Sequence, residues 1–223
     1  MSLRADSDLS RKSYNSPCTI ASVLDLVGDR WTLLIVRDLM AGLSRYTDIL
    51  GNCGHISPNV LSERLKRLEA DGIVVRNYFK ELPPRVEYTL TEKGWALRPI
   101  LSSLIDWGRQ YLDSTLSEES EVTPDFAVRT VSAFAFNPQR AENVRATLVV
   151  EIKDCEGCDT WTLEIREGQI RPRRHATDNA DLRLQTTTDG FFRFVRGELP
   201  AEQCGNLVGS SEVAALIQTC FQH

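Results

Sequence analysis

Residues 56–88 read ISPNVLSERLKRLEADGIVVRNYFKELPPRVEY, and their pattern decides the fold of the first half of the chain. Ser57 can accept a hydrogen bond from the free amides that open a helix, and Pro58 suits the first helical position, where an N–H would have no partner. Leu61, Leu65 and Leu68 then recur at helical spacing as an apolar stripe. With that stripe turned inward, Asn59, Ser62, Glu63 and Lys66 face outward, and Arg64 and Arg67 lie on the flanks. Gly72 supplies the left-handed residue after the last turn. Two runs rich in β-formers follow at 73–79 and 85–90, joined by KELPP, which predicts a hairpin with Lys80 and Arg85 near its tip. A helix followed at once by a hairpin predicts a winged helix.

The preceding residues predict the helices on which such a unit is built. Ile20, Val23, Leu24 and Val27 are spaced for one helix, and Leu34, Ile35, Val36 and Leu39 for a second, with Gly28-Asp29 between them. After a break at Gly42-Leu43-Ser44, residues 45–50 predict a short helix and residues 51–55 a turn. Short helix, turn and second helix is helix-turn-helix order, which makes residues 57–71 the recognition helix. Further on, residues 92–112 carry Leu97, Ile100, Leu101, Leu104, Ile105, Trp107, Tyr111 and Leu112. That is more apolar surface than a terminal helix on so small a domain can bury, so a second copy of the chain is expected against it.

Charge divides the chain in the same way. The 223 residues carry a net charge of −5, which argues against nucleic acid until the halves are counted apart. Residues 1–116 hold 15 Lys and Arg against 14 Asp and Glu, and residues 117–223 hold 11 against 17. The acid lies in the second half, and the first half is free to present a basic face. There is no export signal and no run near the ~20 apolar residues of a bilayer span, so no membrane partner and a cytoplasmic address are expected.

Three stretches carry a resemblance to a known family. Residues 18–50, CTIASVLDLVGDRWTLLIVRDLMAGLSRYTDIL, then 56–74, then 83–94, PPRVEYTLTEKG, resemble in order the HxlR family of bacterial winged-helix transcriptional regulators. The resemblance implies a homodimer that places residues 57–71 in the major groove of a palindromic operator, with the 80–85 wing on the flanking backbone. Ser57, Asn59, Ser62, Glu63, Arg64, Lys66, Arg67, Lys80 and Arg85 are the candidate DNA-binding residues. Lys66, Arg67, Lys80 and Arg85 suit phosphate, and Asn59, Ser62 and Glu63 suit base edges.

Residues 114–124, STLSEESEVTP, read as an acidic linker, and residues 1–16 as a flexible arm. The expected organisation is therefore a DNA-binding and dimerisation domain at 17–113 and a second domain at 125–223. In the second domain a helical start gives way near Asn137-Pro138 to alternating strands (Ala146, Leu148, Val150, Ile152; Trp161, Leu163, Ile165), a further strand at 181–187, and short helices to the end. This predicts an α+β domain with an antiparallel sheet, and α+β for the whole chain. Trp161-Thr162-Leu163, Ala180-Asp181-Leu182-Arg183-Leu184 and the run from Phe191 to Pro200 are similar to the sterol-carrier-protein type of lipid-binding domain. That family usually has one more strand before the last helix, where residues 207–211 here show none. The resemblance implies a small hydrophobic or lipid-like effector, with Phe134, Trp161, Phe191 and Phe194 as the candidate lining.

The six cysteines suit reduced thiols in a chain of this size. Cys155-x-x-Cys158 has no second paired set of ligands, so no metal and no cofactor are expected. Cys18 stands just before a helix and matches the cysteine that HxlR-type oxidant and electrophile sensors use, which makes it a candidate redox site. Arg171-Pro172-Arg173-Arg174-His175 reads as a solvated basic loop. No nucleophile motif, phosphate loop or clustered carboxylates appear, so no catalytic residue and no enzyme are expected. Two alternatives stand beside an effector-controlled regulator: a thiol-based sensor acting through Cys18, and a lipid or acyl-chain carrier that uses the winged helix only to dimerise.

Overall fold

The computed structural model describes residues 13–112, 122–154 and 158–222. The first twelve residues of the expected arm, most of the expected linker, and Cys155 of the cysteine pair lie outside the described residues. The chain forms two compact units, residues Met1–Leu101 and Ser102–His223, with one helix running across the division.

In the first unit, α1 (Thr19–Val27), α2 (Thr32–Met40), α3 (Tyr46–Asn52) and α4 (Pro58–Ala70) precede β1 (Val74–Phe79) and β2 (Arg85–Leu90). Asp29 starts α2 by accepting from the amides of Trp31 (2.9 Å) and Thr32 (3.1 Å) and from the Thr32 hydroxyl. The α4 start is as expected: the Val60 amide donates to Ser57 Oγ at 3.4 Å, and Pro58 occupies the first turn. Leu61, Leu65 and Leu68 are fully buried with Ile35, Val36 and Ile49. Burying three leucines stabilises the unit by several kcal/mol, at about 1.5–3 each. The antiparallel hairpin pairs Phe79 with Arg85 across its tip, and an isolated bridge from Arg45 to Glu87 ties the chain before α3 to the wing.

The seam between recognition helix and wing is fixed by two residues. Gly72, at φ +68°, turns the chain out of α4. The Thr91 hydroxyl then donates to Gly72 O at 2.7 Å and accepts from the Gly94 amide at 3.1 Å, so one side chain joins the end of α4 to the start of α5 (Glu92–Trp95). A Cβ on Gly94 would run into the carbonyl oxygen of Ile73.

The sequence predicts one helix over 92–112, and the structure divides it. Helix α5 ends at Trp95, and α6 (Arg98–Tyr111) begins with Pro99 in its first turn. Proline has no N–H to donate to a preceding turn, and here it restarts a helix instead of continuing one.

The second unit opens with α7 (Pro124–Thr130), capped by the Thr123 hydroxyl, and a π-helical turn at Val131–Ala135. Five strands follow: β3 (Ala146–Ile152), β4 (Asp159–Arg166), β5 (Gln169–Arg174), β6 (Leu182–Thr186) and β7 (Asn206–Gly209), in the spatial order β5-β4-β3-β6-β7. Helices α8 (Thr188–Arg196), α9 (Ala201–Cys204) and α10 (Ser211–Thr219) complete it. Ala146, Leu148, Val150 and Ile152 point into one core with Trp161, Leu163, Ile165, Leu182 and Leu184. The opposite face is crossed by residues 175–181: His175 O accepts from the Thr162 hydroxyl at 2.6 Å, Thr177 O accepts from Arg183 at 2.5 Å, and the Asp181 amide reaches Thr147 O at 2.9 Å.

Three expectations for this unit are corrected. The sheet is mixed, because β6 runs parallel to β3 once the chain has crossed from the β5 edge. Arg171, Pro172, Arg173 and Arg174 belong to edge strand β5, not to a loop; Pro172 is tolerated because an edge strand leaves one row of donors unused. The strand thought missing before the last helix is present as β7, paired with β6 from Leu182 opposite Gly209 to Gln185 opposite Asn206. Its four residues, Asn-Leu-Val-Gly, are too few to show an alternating pattern in sequence.

Gly94→Ala is expected to destabilise the first unit by about 1–3 kcal/mol, the usual cost of forcing an atom into an occupied site. Urea unfolding read by tryptophan fluorescence would measure it.

Candidate nucleic-acid interface

The outward face of α4 divides into two kinds of side chain. Asn59 and Lys66 are exposed, and neither is held by another side chain among the described residues. Ser62, Glu63, Arg64 and Arg67 are half-buried and each is engaged. Ser62 Oγ donates to Tyr46 Oη at 3.2 Å, and Tyr46 Oη donates to Pro58 O at 2.7 Å. Tyr46, on the first helix of the motif, thus holds the N-terminal turn of the second. It sits inside the quoted sequence pattern, yet only its phenol, which must find a partner when packed against a helix, hinted at this task.

Arg67 pairs with Glu63 one turn back at 2.6 Å, and Arg64 pairs with Asp29 at 3.4 Å. Arg64 is therefore turned toward the α1–α2 corner, while Arg67 is held along α4. In the wing, Arg85 stacks 4.5 Å from the Phe79 ring and lies 3.5 Å from Glu81 and 3.3 Å from Glu87. Lys80 is exposed at the hairpin end. Ser57 spends its side-chain oxygen on the helix cap. Of the candidate DNA-binding residues, those with no side-chain partner among the described residues are thus one amide, Asn59, and two ammonium groups, Lys66 and Lys80.

Behind the face lies a buried polar cluster that sequence reading did not single out. Asp38 is wholly buried on α2, accepts from Arg37 Nε at 2.9 Å and from Asn52 Nδ2 at 2.8 Å, and so ties α2 to the end of α3. Burial raises its carboxyl pKa, opposed by the charge and hydrogen bond of Arg37. Next to it, Cys53 is buried at the turn before α4, and burial, with the Asp38 charge adding to it, pushes its thiol up to about 11. The only advance sign was an Asp at an otherwise apolar position of α2. Cys18, by contrast, is exposed ahead of α1.

The aromatic residues singled out in the second unit are packed side chains. Phe134, Trp161, Phe191 and Phe194 are all buried, and α8 turns Phe191 and Phe194 inward while half-buried Phe192 packs at the edge of the core with Arg196 over its ring at 5.7 Å. Trp161 has Arg129 and Arg174 over its ring at 5.2 and 5.6 Å. Among the described residues no three His, Cys, Asp or Glu side chains are grouped to hold a metal ion, and no helix is long and apolar enough to cross a membrane.

Residues 26–116 match the family described as HxlR-like helix-turn-helix. The chain is 43% identical over 90 residues to the uncharacterised HTH-type transcriptional regulator YvaP of Bacillus subtilis, a span that takes in 40% of this chain and 83% of YvaP. The chain belongs to the HxlR-like family. The HTH-type transcriptional regulator YodB of the same organism is 39% identical over 110 residues, covering 48% of this chain and 98% of YodB. Among solved structures, the reduced form of YodB is similar at 40% identity over 43% of this chain and 95% of that one, with a TM-score of 0.39. The family match ends at residue 116, within the winged-helix half. The sterol-carrier resemblance of the second half therefore rests on its sequence motifs alone.

Two outcomes are expected from the buried cluster. At pH 8, iodoacetamide followed by peptide mass mapping should modify exposed Cys18 and Cys158 first and leave Cys53, Cys204 and Cys220 largely unreacted, because burial raises all three of the latter thiols. Asp38 has a folded pKa above its ordinary 3.8. Its contribution to stability is therefore fully present below the unfolded value and is lost as pH rises through the folded one. The stability of wild type minus that of Asp38→Asn, from urea midpoints, should fall as pH rises from about 4 toward neutrality.

Proposed function

We propose that this chain is a sequence-specific DNA-binding transcriptional regulator acting as a homodimer on a palindromic operator. The observation that carries the reading is the pairing of a capped, rigidly seated α4 with an outward face holding unspent Asn59 and Lys66, next to a wing carrying Lys80. An amide is suited to a bidentate contact with adenine, and a free ammonium to phosphate. Membership in a family of HTH-type regulators supports it. The dimer is supported by apolar residues left in the open, Ile20 and Val23 on α1 and Leu104, Trp107 and Tyr111 on α6. Patches of this kind mark protein interfaces. Two-fold symmetry would set the half-sites a helical turn, or a multiple of one, apart.

Effector control through the second unit is the finer part of the proposal. The sterol-carrier motifs and the presence of β7 support a small hydrophobic ligand there, and extraction of purified protein for bound lipid tests it. A thiol-sensing role has its own support in exposed Cys18, and a Cys18→Ser variant that keeps its oxidant response would exclude it.

Operators selected from random duplexes should be bound steeply with salt. Lys66→Ala is expected to weaken all sequences alike and to reduce the salt slope by about one, whereas Asn59→Ala relaxes preference at one base position by about 1–3 kcal/mol. Equal loss across sequences from both variants would sink the assignment of the face.

A further inference from the structure

Between α1 and the C-terminal half of α4 lies a cleft of about 460 Å³, within the size range of small-molecule sites. Leu24 and Leu26 line it as apolar surface, Tyr14 is among its lining residues, and Arg64 and Arg67 supply its cationic side. Asp25, Asp29 and Asp71 also line it, and each is engaged, Asp71 with a partner of its own. Asp25 accepts from Ser13 Oγ at 2.8 Å and the Tyr14 amide at 3.0 Å, and Asp29 is the cap of α2.

The two guanidiniums are in the opposite condition. Each has five N–H donors in a planar fork, and each makes one ion pair: Arg67 to Glu63, Arg64 to Asp29 at 3.4 Å. The Nε of both is hidden from solvent and has no hydrogen-bond partner. A buried donor without an acceptor is costly, and a planar carboxylate is the group that matches a guanidinium fork. Apolar walls beside paired, under-used arginines call for a molecule with one flat apolar part and one carboxylate.

We propose that this cleft is an effector site for a small aromatic carboxylate, whose ring lies against Leu24 and Leu26 and whose carboxylate takes up the free donors of Arg64 and Arg67. The consequence follows from the Arg67–Glu63 pair. A carboxylate that draws Arg67 toward α1 releases Glu63, placing an unpaired negative charge on the recognition face beside Lys66. That charge opposes phosphate, so the ligand favours the DNA-free state by its differential affinity for the two states. This coupling rests on the DNA-binding reading above; the site itself does not.

The test uses 2-naphthoate and its uncharged counterpart 2-naphthamide, titrated by calorimetry into the full chain without DNA. The acid is expected to bind at least about 10-fold more tightly than the amide, and Arg64→Gln and Arg67→Gln should each cost the acid a similar factor while leaving the amide unchanged. Acid and amide binding alike in wild type, or no binding of the acid, overturns the site without reliance on any variant, as does unchanged acid affinity in both folded variants. In a second arm, saturating 2-naphthoate should weaken operator binding about 5-fold or more. If the acid binds with the arginine dependence but operator affinity does not move, the coupling through Glu63 is overturned. If the acid binds so and no duplex is bound with or without it, the site stands and the DNA-binding reading falls.

Discussion

The first unit depends on one constraint, the burial of Leu61, Leu65 and Leu68. Once those three side chains are buried in the core that also holds Ile35, Val36 and Ile49, α4 cannot rotate about its axis. A helix carries each residue about 100° around from the last, so fixing the stripe fixes every other side chain of the helix. Asn59 and Lys66 face solvent and Arg64 faces the α1–α2 corner for this one reason. Rotation is then the only freedom removed; the tilt of α4 is set separately, by Tyr46 at its start and by Thr91 and Gly94 at its end. Those two seams hold the helix and the wing as one rigid reading head, and Asp38 with Asn52 holds α3 to α2 behind it.

How much of this was legible in sequence varies with the kind of interaction. The α4 cap, its leucine stripe, its stop at Gly72 and the hairpin are local, and each agrees with its neighbours, which is why their bounds fall within a residue or two of expectation. The break at Pro99 was equally local but was outweighed by the continuous apolar pattern around it. Tyr46, Asp38 and Cys53 act through contacts between elements, which no periodicity announces. The arginine flanks were legible as positions and not as partners: helical spacing places Arg64 beside the apolar stripe, but only the fold brings Asp29 to it.

In the second unit the strands that bury one face were readable from their alternation, and their order was not. The chain runs β3, β4, β5 outward to one edge and then crosses back over the sheet to lay β6 beside β3. The crossing residues 175–181 look like polar loop, yet they accept hydrogen bonds from Thr162 and Arg183 and donate one to Thr147. These residues explain why a sheet face carrying threonines and arginines is nonetheless closed at its centre, where Val149 is fully buried. On the other face the aromatic side chains pack into the core, with Trp161 at the junction of α7, β4 and β5.

Arginine is the residue whose role changes most between sequence and structure. A count of basic residues near a recognition helix treats Lys66, Arg64, Arg67 and Arg85 alike, since each carries one charge. The fold separates them by geometry. A lysine ammonium at the end of a flexible stem stays solvated and available to phosphate, whereas a guanidinium fork engages any carboxylate within reach. Here Glu63, Glu81, Glu87 and Asp29 lie within reach of the three arginines and not of Lys66. Each of those exposed or half-exposed pairs is worth at most about 1 kcal/mol, so none is a permanent lock. An incoming phosphate or carboxylate can compete for the same forks. The acidic residues of this unit therefore set which arginines answer to an anion, and on which side of the recognition helix the anion must arrive.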